Sequence, residues 1–158
     1  MKARTLAFGG ILAAVYAAVT LLTASFSFGP LQLRLADALC VFCCFTPAAI
    51  PGLTLGCLIA NLFSPVSLLD AIIGTAATLL SCLWMTRCRR GWQSVVPNVA
   101  VNAVMVGALL AWVMTPERFW LGLAVNGAQV AAGETIVMTA LGLPLYWYLK
   151  RTGVWKKI

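Results

Sequence analysis

Charged positions divide this chain into apolar runs too long for an ordinary soluble domain. From Thr5 to Leu33 no charged residue occurs, a length that exceeds the ~20 residues a helix needs to cross a bilayer. Leu35 to Phe45 and Ala48 to Phe63 are two shorter apolar runs divided by "TPAAIPG", in which Pro47, Pro51 and Gly52 punctuate any helix. Ser67 to Met85 ends at "RCRRGW", Val95 to Met114 at "TPER", and Phe119 to Leu149 at Lys150 and Arg151. The runs are continuous and do not alternate with period two, which argues for helices and against a barrel. The pattern predicts an all-α integral membrane protein, one six-helix domain over residues 1–158, with short, tilted or irregular second and third spans. A re-entrant hairpin over Leu35 to Phe63 gives the same parity. A cleaved signal peptide competes at the N-terminus, where Lys2 and Arg4 precede the apolar run and Thr23 to Ser27 are mostly small, but that run is longer than a usual signal core.

Composition agrees. Hydrophobic residues make up 62% of the chain and charged residues 9%, against roughly 25% charge in a soluble domain. Six spans put both termini on one side. Lys2, Arg4, Arg87, Arg89, Arg90, Lys150, Arg151, Lys156 and Lys157 then share that side, leaving Arg34 and Arg118 on the other. The positive-inside rule places both termini in the cytoplasm, so the net charge of +7 follows from topology, with a basic rim facing anionic lipid, and is no argument for nucleic acid.

Several function classes are disfavoured. The sequence has no G-x-x-x-x-G-K-[ST] and no histidine, so it has no P-loop of its own, no Ser-His-Asp or Cys-His arrangement, and no usual ligand set for zinc or haem. The six cysteines, Cys40, Cys43, Cys44, Cys57, Cys82 and Cys88, fall mostly in apolar runs, where free cysteine behaves as a small hydrophobe. No enzyme activity, cofactor or metal is expected.

What remains is a set of polar residues inside lipid: Arg34, Asp37, Asn61, Asp70, Asn98, Asn102, Gln129 and Glu134. Such residues are costly there and mark a pathway or a binding site by default. Span ends place Asp37, Asn61 and Asp70 shallow on the outer side. Counting back ~20 residues from Lys150 starts the sixth span near Val130, which makes Phe119 to Gln129 an outer segment and puts Glu134 about one turn below the surface. Asn102 lies near mid-depth and Asn98 deeper. Arg34 and Asp37, spaced i, i+3, can satisfy one another at the interface, as a structural clasp or as a ligand-gating contact. Ala3, Ala7, Gly10, Ala14 and Ala18 form one stripe of small residues on the first helix, suited to internal packing or to a partner helix.

The runs "FGPLQLRLADAL", "TPAAIPGLTLGCLIANLF", "LLDAIIGTAATLLS", "PNVAVNAVMVG" and "GETIVMTALGLPL", in this order from Phe28 to Leu145, resemble the QueT family, substrate-binding S components of energy-coupling factor (ECF) transporters for queuosine precursors. The resemblance implies a multi-pass protein of the bacterial cytoplasmic membrane with an outward-facing ligand site. It also implies partners, a transmembrane T subunit and two ATPase subunits, with the T subunit docking on the small-residue face that carries Ala7, Gly10, Ala14 and Ala18. The implied ligand is a deazaguanine. Its guanine-like edge presents adjacent N–H donors that one carboxylate can accept together, and its ring offers a stacking face. Glu134 suits that carboxylate, Asp70 an exocyclic ammonium, and Asn61 and Asn102 the remaining donors and acceptors, with Arg34, Asp37 and Gln129 completing the candidate set. Phe26, Phe28, Phe119 or Trp120 could cap the ring, although interface anchoring is the stronger explanation for each of them. Two other classes fit the residues: an S component for another vitamin-like solute, and a membrane scaffold whose polar groups only pack helices.

Overall fold

The structure, a computed structural model, describes residues 3–29, 31–65 and 68–157. Lys2 and the expected start of the fourth span at Ser67 lie outside the described residues, as do the side chains of Lys156 and Lys157. The fold is 85% helix, without strands among the described residues, so backbone polar groups are paired within segments, as lipid demands.

Among the described residues, four helical stretches are long and apolar enough to cross a membrane: Ala3–Leu22, Leu68–Met85, Gly91–Met114 and Pro116–Thr152. Two shorter apolar helices, Leu35–Cys44 and Ala49–Asn61, complete the bundle. In chain order the α-helices are α1 (Ala3–Leu22), a short α2 (Ala24–Ser27), α3 (Ala49–Asn61), α4 (Leu68–Met85), α5 (Val95–Met114), α6 (Phe119–Val137) and α7 (Leu143–Thr152).

The first apolar run is not one helix to Leu33. Thr20 and Thr23 turn their hydroxyls back onto the carbonyls of Tyr16 (2.9 Å) and Val19 (2.7 Å), a bond that competes with the helical ladder. α1 ends at Leu22, and the short α2, Ala24–Ser27, follows it. α1 packs on α3 through glycine: a Cβ at Gly56 would lie 2.7 Å from the carbonyl oxygen of Ala13 and 2.8 Å from Cβ of Tyr16.

The second run is a ten-residue 3₁₀ helix, Leu35–Cys44. Residues three apart eclipse in this geometry, and the burial pattern has that period. Asp37, Cys40 and Cys43 form one fully buried column, while Leu39, Phe42 and Phe45 form a half-buried one. Non-α backbone is tolerated at membrane depth because protein surrounds it. At ~2.0 Å per residue this helix spans ~20 Å, and α3 at ~1.5 Å per residue spans about the same.

α5 and α6 form a long antiparallel hairpin closed by the turn Pro116–Arg118. α6 continues through one π turn, Met138–Gly142, into α7. Pro144 has no N–H to offer and its ring crowds the carbonyl of residue 140, so the widened turn is the local answer to a proline inside a continuous helix. The main core joins Leu12 and Tyr16 of α1, Val41, Leu53, Cys82, Met138 and Tyr146. At the end of the bundle that carries α1's start and α7, Phe45 packs on Tyr146 (4.9 Å between centroids) and Trp155 (5.7 Å), and the Tyr146 hydroxyl donates to the carbonyl of Arg89 at 2.9 Å.

Candidate solute-binding site

Six elements deliver polar side chains to one buried cluster between α1 and the α4–α5–α6 layer. Glu134 on α6 is 3% exposed. Its two carboxylate oxygens accept one amide N–H each from α5, Oε2 from Asn98 at 3.3 Å and Oε1 from Asn102 at 3.2 Å. Asn98 and Asn102 are one turn apart, so a single helix face presents both.

On the other side of the cluster, the Tyr16 hydroxyl of α1 donates to Asp37 Oδ1. The Arg34 guanidinium is buried, as are the carboxyl groups of Asp37, Asp70 and Glu134. It rests under the Phe28 ring, 5.8 Å from its centroid, and Nη1 approaches Cys57 Sγ at 3.8 Å. Cys57 is a hub: Asn61 Nδ2 (3.3 Å) and Thr78 Oγ1 (3.1 Å) donate to its sulfur, and its thiol points to the Gly74 carbonyl at 3.7 Å. Asn61 also donates to the carbonyl of Asp70 at 3.2 Å.

The cluster is under-satisfied. Arg34 Nη2, Asp37 Oδ2, Asn61 Oδ1, both carboxylate oxygens of Asp70, Asn98 Oδ1 and Asn102 Oδ1 are buried without a hydrogen-bond partner among the described residues. Each buried orphan costs about 1–3 kcal/mol if nothing meets it, and in native proteins such groups call for an explanation. Seven of them converging on one region, among three carboxyl groups and one guanidinium, suit a small polar ligand rich in N–H donors or carrying a positive charge.

A loop covers this region. The carbonyl of Leu31 lies against α6 where any side chain at 133 would collide with it, so only glycine fits. The loop is held by Leu33 N–H to the Phe26 carbonyl (3.0 Å) and Gln32 N–H to the Gly29 carbonyl (2.9 Å). Gln32 is 4% exposed and has φ of 45°, a left-handed conformation uncommon for a residue with a side chain. Outside the loop a cavity of about 200 Å³, lined by Phe28, Gln32, Asn126 and Gln129 among others, opens next to the cluster.

The structure revises several expectations. The expected outer segment Phe119 to Gln129 is the start of α6 itself, so fifteen residues at ~1.5 Å each put Glu134 about 22 Å along the hairpin, level with Asn98 and Asn102. Arg34 and Asp37 do not close an ion pair: Tyr16 takes one oxygen of Asp37, and Arg34 turns toward Cys57 and Phe28. Gln129 lines the outer cavity and is not part of the buried cluster. Asp70, Asn61, Asn102, Arg34 and Asp37 are brought together with Glu134. Of the aromatics, Phe28 sits over the cluster, Phe119 is half-buried, and Phe26 and Trp120 are exposed. Arg118 is exposed at the hairpin turn. Cys57 acts as a polar partner as well as a small apolar group. Tyr16, Asn98, Cys57, Thr78 and Gln32 were outside the candidate set. Two of them left a signal: Asn98 stands four residues before Asn102, and Tyr16 is the one phenol in the uncharged run from Thr5 to Leu33.

The small stripe of α1 does not pack inside. Ala3, Ala7, Gly10, Ala14 and Ala18 are all exposed, while Leu12, Ala13, Tyr16, Ala17 and Thr20 form the buried face.

A helical bundle with four stretches long and apolar enough to span a membrane, enclosing an under-satisfied polar cluster, is the architecture of a membrane protein. The chain belongs to the QueT transporter family, whose profile matches residues 6–151. No curated protein and no solved structure matches it.

Proposed function

We propose that this protein is the substrate-binding S component of an ECF-type importer and that it takes up a queuosine precursor of the deazaguanine class. The observation that carries the reading is the buried carboxylate of Glu134, held by Asn98 and Asn102 and facing a region where seven polar atoms lack protein partners. Glu134 accepts the paired N–H groups of a guanine-like edge, Asp70 pairs with an exocyclic ammonium, and the free amide oxygens of Asn61, Asn98 and Asn102 accept remaining donors. Arg34 and Asp37 border the ligand below Phe28, and Gln129 lines the approach. The excess of carboxyl groups over guanidinium in the cluster favours a ligand that brings donors or positive charge.

In this reading the two short apolar helices count as spans two and three, both termini are cytoplasmic, and the protein resides in a bacterial cytoplasmic membrane. The exposed α1 face carrying Ala7, Gly10, Ala14 and Ala18 receives the transmembrane T subunit, because small residues let helix backbones approach closely in lipid. Two ATPase subunits supply the energy.

The test is native mass spectrometry of the detergent-purified protein, followed by calorimetric titration of deazaguanine precursors. A purine-like adduct, and saturable binding of one precursor, are expected. A different vitamin as the adduct would leave the S-component reading standing and remove the deazaguanine. Concentrative uptake by this chain alone in proteoliposomes would overturn the S-component assignment.

A further inference from the structure

The end of the bundle opposite the hairpin turn carries a second cleft, of about 260 Å³, between the end of α4 and the start of α5. Trp84, Arg87, Cys88, Trp92, Gln93 and Val96 line it, and none of them takes part in the solute site. The arrangement combines three features. Arg87, Arg89 and Arg90 stand within four residues and are exposed, and the sequence has no acidic side chain between Asp70 and Glu117 to neutralise them. Trp84 and Trp92 are 44% and 59% exposed, and indole rings at such positions settle at the boundary between headgroups and acyl chains. Val96, also exposed, continues the cleft onto the apolar outer surface of the helices, where Leu80 and Leu83 are open as well.

The cleft is held in shape from below. Gln93 Oε1 accepts the backbone N–H groups of Arg89 (3.1 Å) and Arg90 (3.0 Å). The Cys88 thiol donates to the Gln93 carbonyl (3.2 Å), Ser94 Oγ to the Gly91 carbonyl (2.6 Å), and Tyr146 to the Arg89 carbonyl. These bonds fix the backbone that bears the arginines. The volume equals that of roughly nine waters at ~30 Å³ each, which is the scale of a phosphodiester with its glycerol.

We propose that this cleft binds the headgroup of an anionic phospholipid, with the Arg87 guanidinium on the phosphate oxygens, Arg89 and Arg90 adding to the local field, and the acyl chains leaving past Trp92 and Val96. A basic pocket at the membrane surface attracts an anionic headgroup, and a guanidinium matches phosphate geometry in a bidentate contact. An unaccompanied phosphate would leave the indoles and Val96 unused, so the lipid is the occupant that uses the whole cleft.

The experiment is native mass spectrometry and thermal unfolding of the full chain in mixed micelles containing dioleoylphosphatidylglycerol or dioleoylphosphatidylcholine. The wild type is expected to retain phosphatidylglycerol in preference and to melt later with it. Arg87→Gln should weaken that preference by about fivefold, the usual size for one basic residue at a membrane surface. Val96→Trp keeps every charge but fills the cleft, and should abolish the preference. Binding of the deazaguanine precursor by both variants, together with their ligand-free melting, confirms that they fold. Equal retention of the two lipids by the wild type would overturn the proposal. So would an undiminished preference in Val96→Trp, which would assign it to the basic rim at large, or full competition by glycerol phosphate, which would make the cleft a site for free anions. A Val96→Trp protein that keeps its lipid but no longer co-purifies with a partner subunit would make it a protein interface instead.

Discussion

Replacing Glu134 by glutamine separates the two roles a buried carboxylate could have here. In the structure each oxygen of Glu134 accepts one amide N–H, from Asn98 at 3.3 Å and Asn102 at 3.2 Å. Glutamine keeps the shape but turns one oxygen into an NH₂ group, which would face an asparagine NH₂ donor against donor. The neighbouring asparagines can relieve that clash, because Oδ1 of Asn98 and of Asn102 has no partner; rotating one amide by half a turn presents an acceptor to the new donor. The ligand-free protein should therefore lose about the net worth of one hydrogen bond, ~0.5–1.5 kcal/mol, and melt only slightly earlier. The ligand has no such remedy, since its paired N–H groups would meet a donor where they had an ionic acceptor. Loss of a charged hydrogen-bond partner in a buried site costs about 2–5 kcal/mol, roughly one and a half to three and a half powers of ten in affinity. Calorimetric titration of a deazaguanine precursor into both proteins, with thermal unfolding of the ligand-free forms, gives both numbers. A variant that binds as tightly as the wild type but melts much earlier would refute the reasoning and make Glu134 a helix fastener, moving the site toward Asp70 and Asn61.

Four further outcomes are expected. Ala14→Leu with Ala18→Leu, both on the exposed face of α1, should abolish uptake by the assembled transporter while calorimetry shows ligand binding by the isolated chain unchanged; joint loss of both would contradict a role of the stripe confined to docking. Gly133→Ala drives a methyl group into the Leu31 carbonyl, an overpacking that costs about 1–3 kcal/mol, and stopped-flow measurements should show faster ligand release as the loop is lifted. Tyr16→Phe leaves Asp37 without its buried donor, a loss of about 1–3 kcal/mol, visible as earlier melting in the absence of ligand. Uptake in proteoliposomes should require added T and ATPase subunits and internal ATP, and uptake without ATP would contradict the proposed coupling.

Hydrophobic run lengths made most of the architecture legible. The fifth apolar run, Val95 to Met114, has the bounds of α5, and the fourth ends at Met85, where α4 ends. The cost of polar groups in lipid likewise drew attention to Glu134, Asn102, Asp37, Asn61, Asp70 and Arg34, which the fold gathers. Counting twenty residues back from Lys150 equates one span with one helix, whereas Pro116–Thr152 runs helical for 37 residues, so the segment Phe119 to Gln129 continues the helix that carries Glu134. Spacing along one helix could not foresee that Tyr16, on another, would take Asp37 from Arg34. Hydropathy treats Cys57 as apolar, and only the arrangement of Asn61, Thr78 and Arg34 around it gives its sulfur a polar role. Nothing in "LADALCVFCC" separates a 3₁₀ helix from an α-helix before its neighbours are known.

The single π turn at Met138–Gly142 fixes the rotational phase of everything beyond it. Glu134 and Tyr146, twelve residues apart, are each 3% exposed, yet at about 100° per residue an unbroken α-helix would set them about 120° apart around the axis. The π turn absorbs one residue and brings them to about 20° of one another, so the carboxylate in the middle of the bundle and the phenol that ties down the Arg89 carbonyl look the same way. Length is thereby constrained where identity is not. A substitution among residues 138–142 leaves the phase intact, but deleting any one of them would swing Tyr146 away from Arg89 or Glu134 away from Asn98 and Asn102 while every side chain at both places was still encoded.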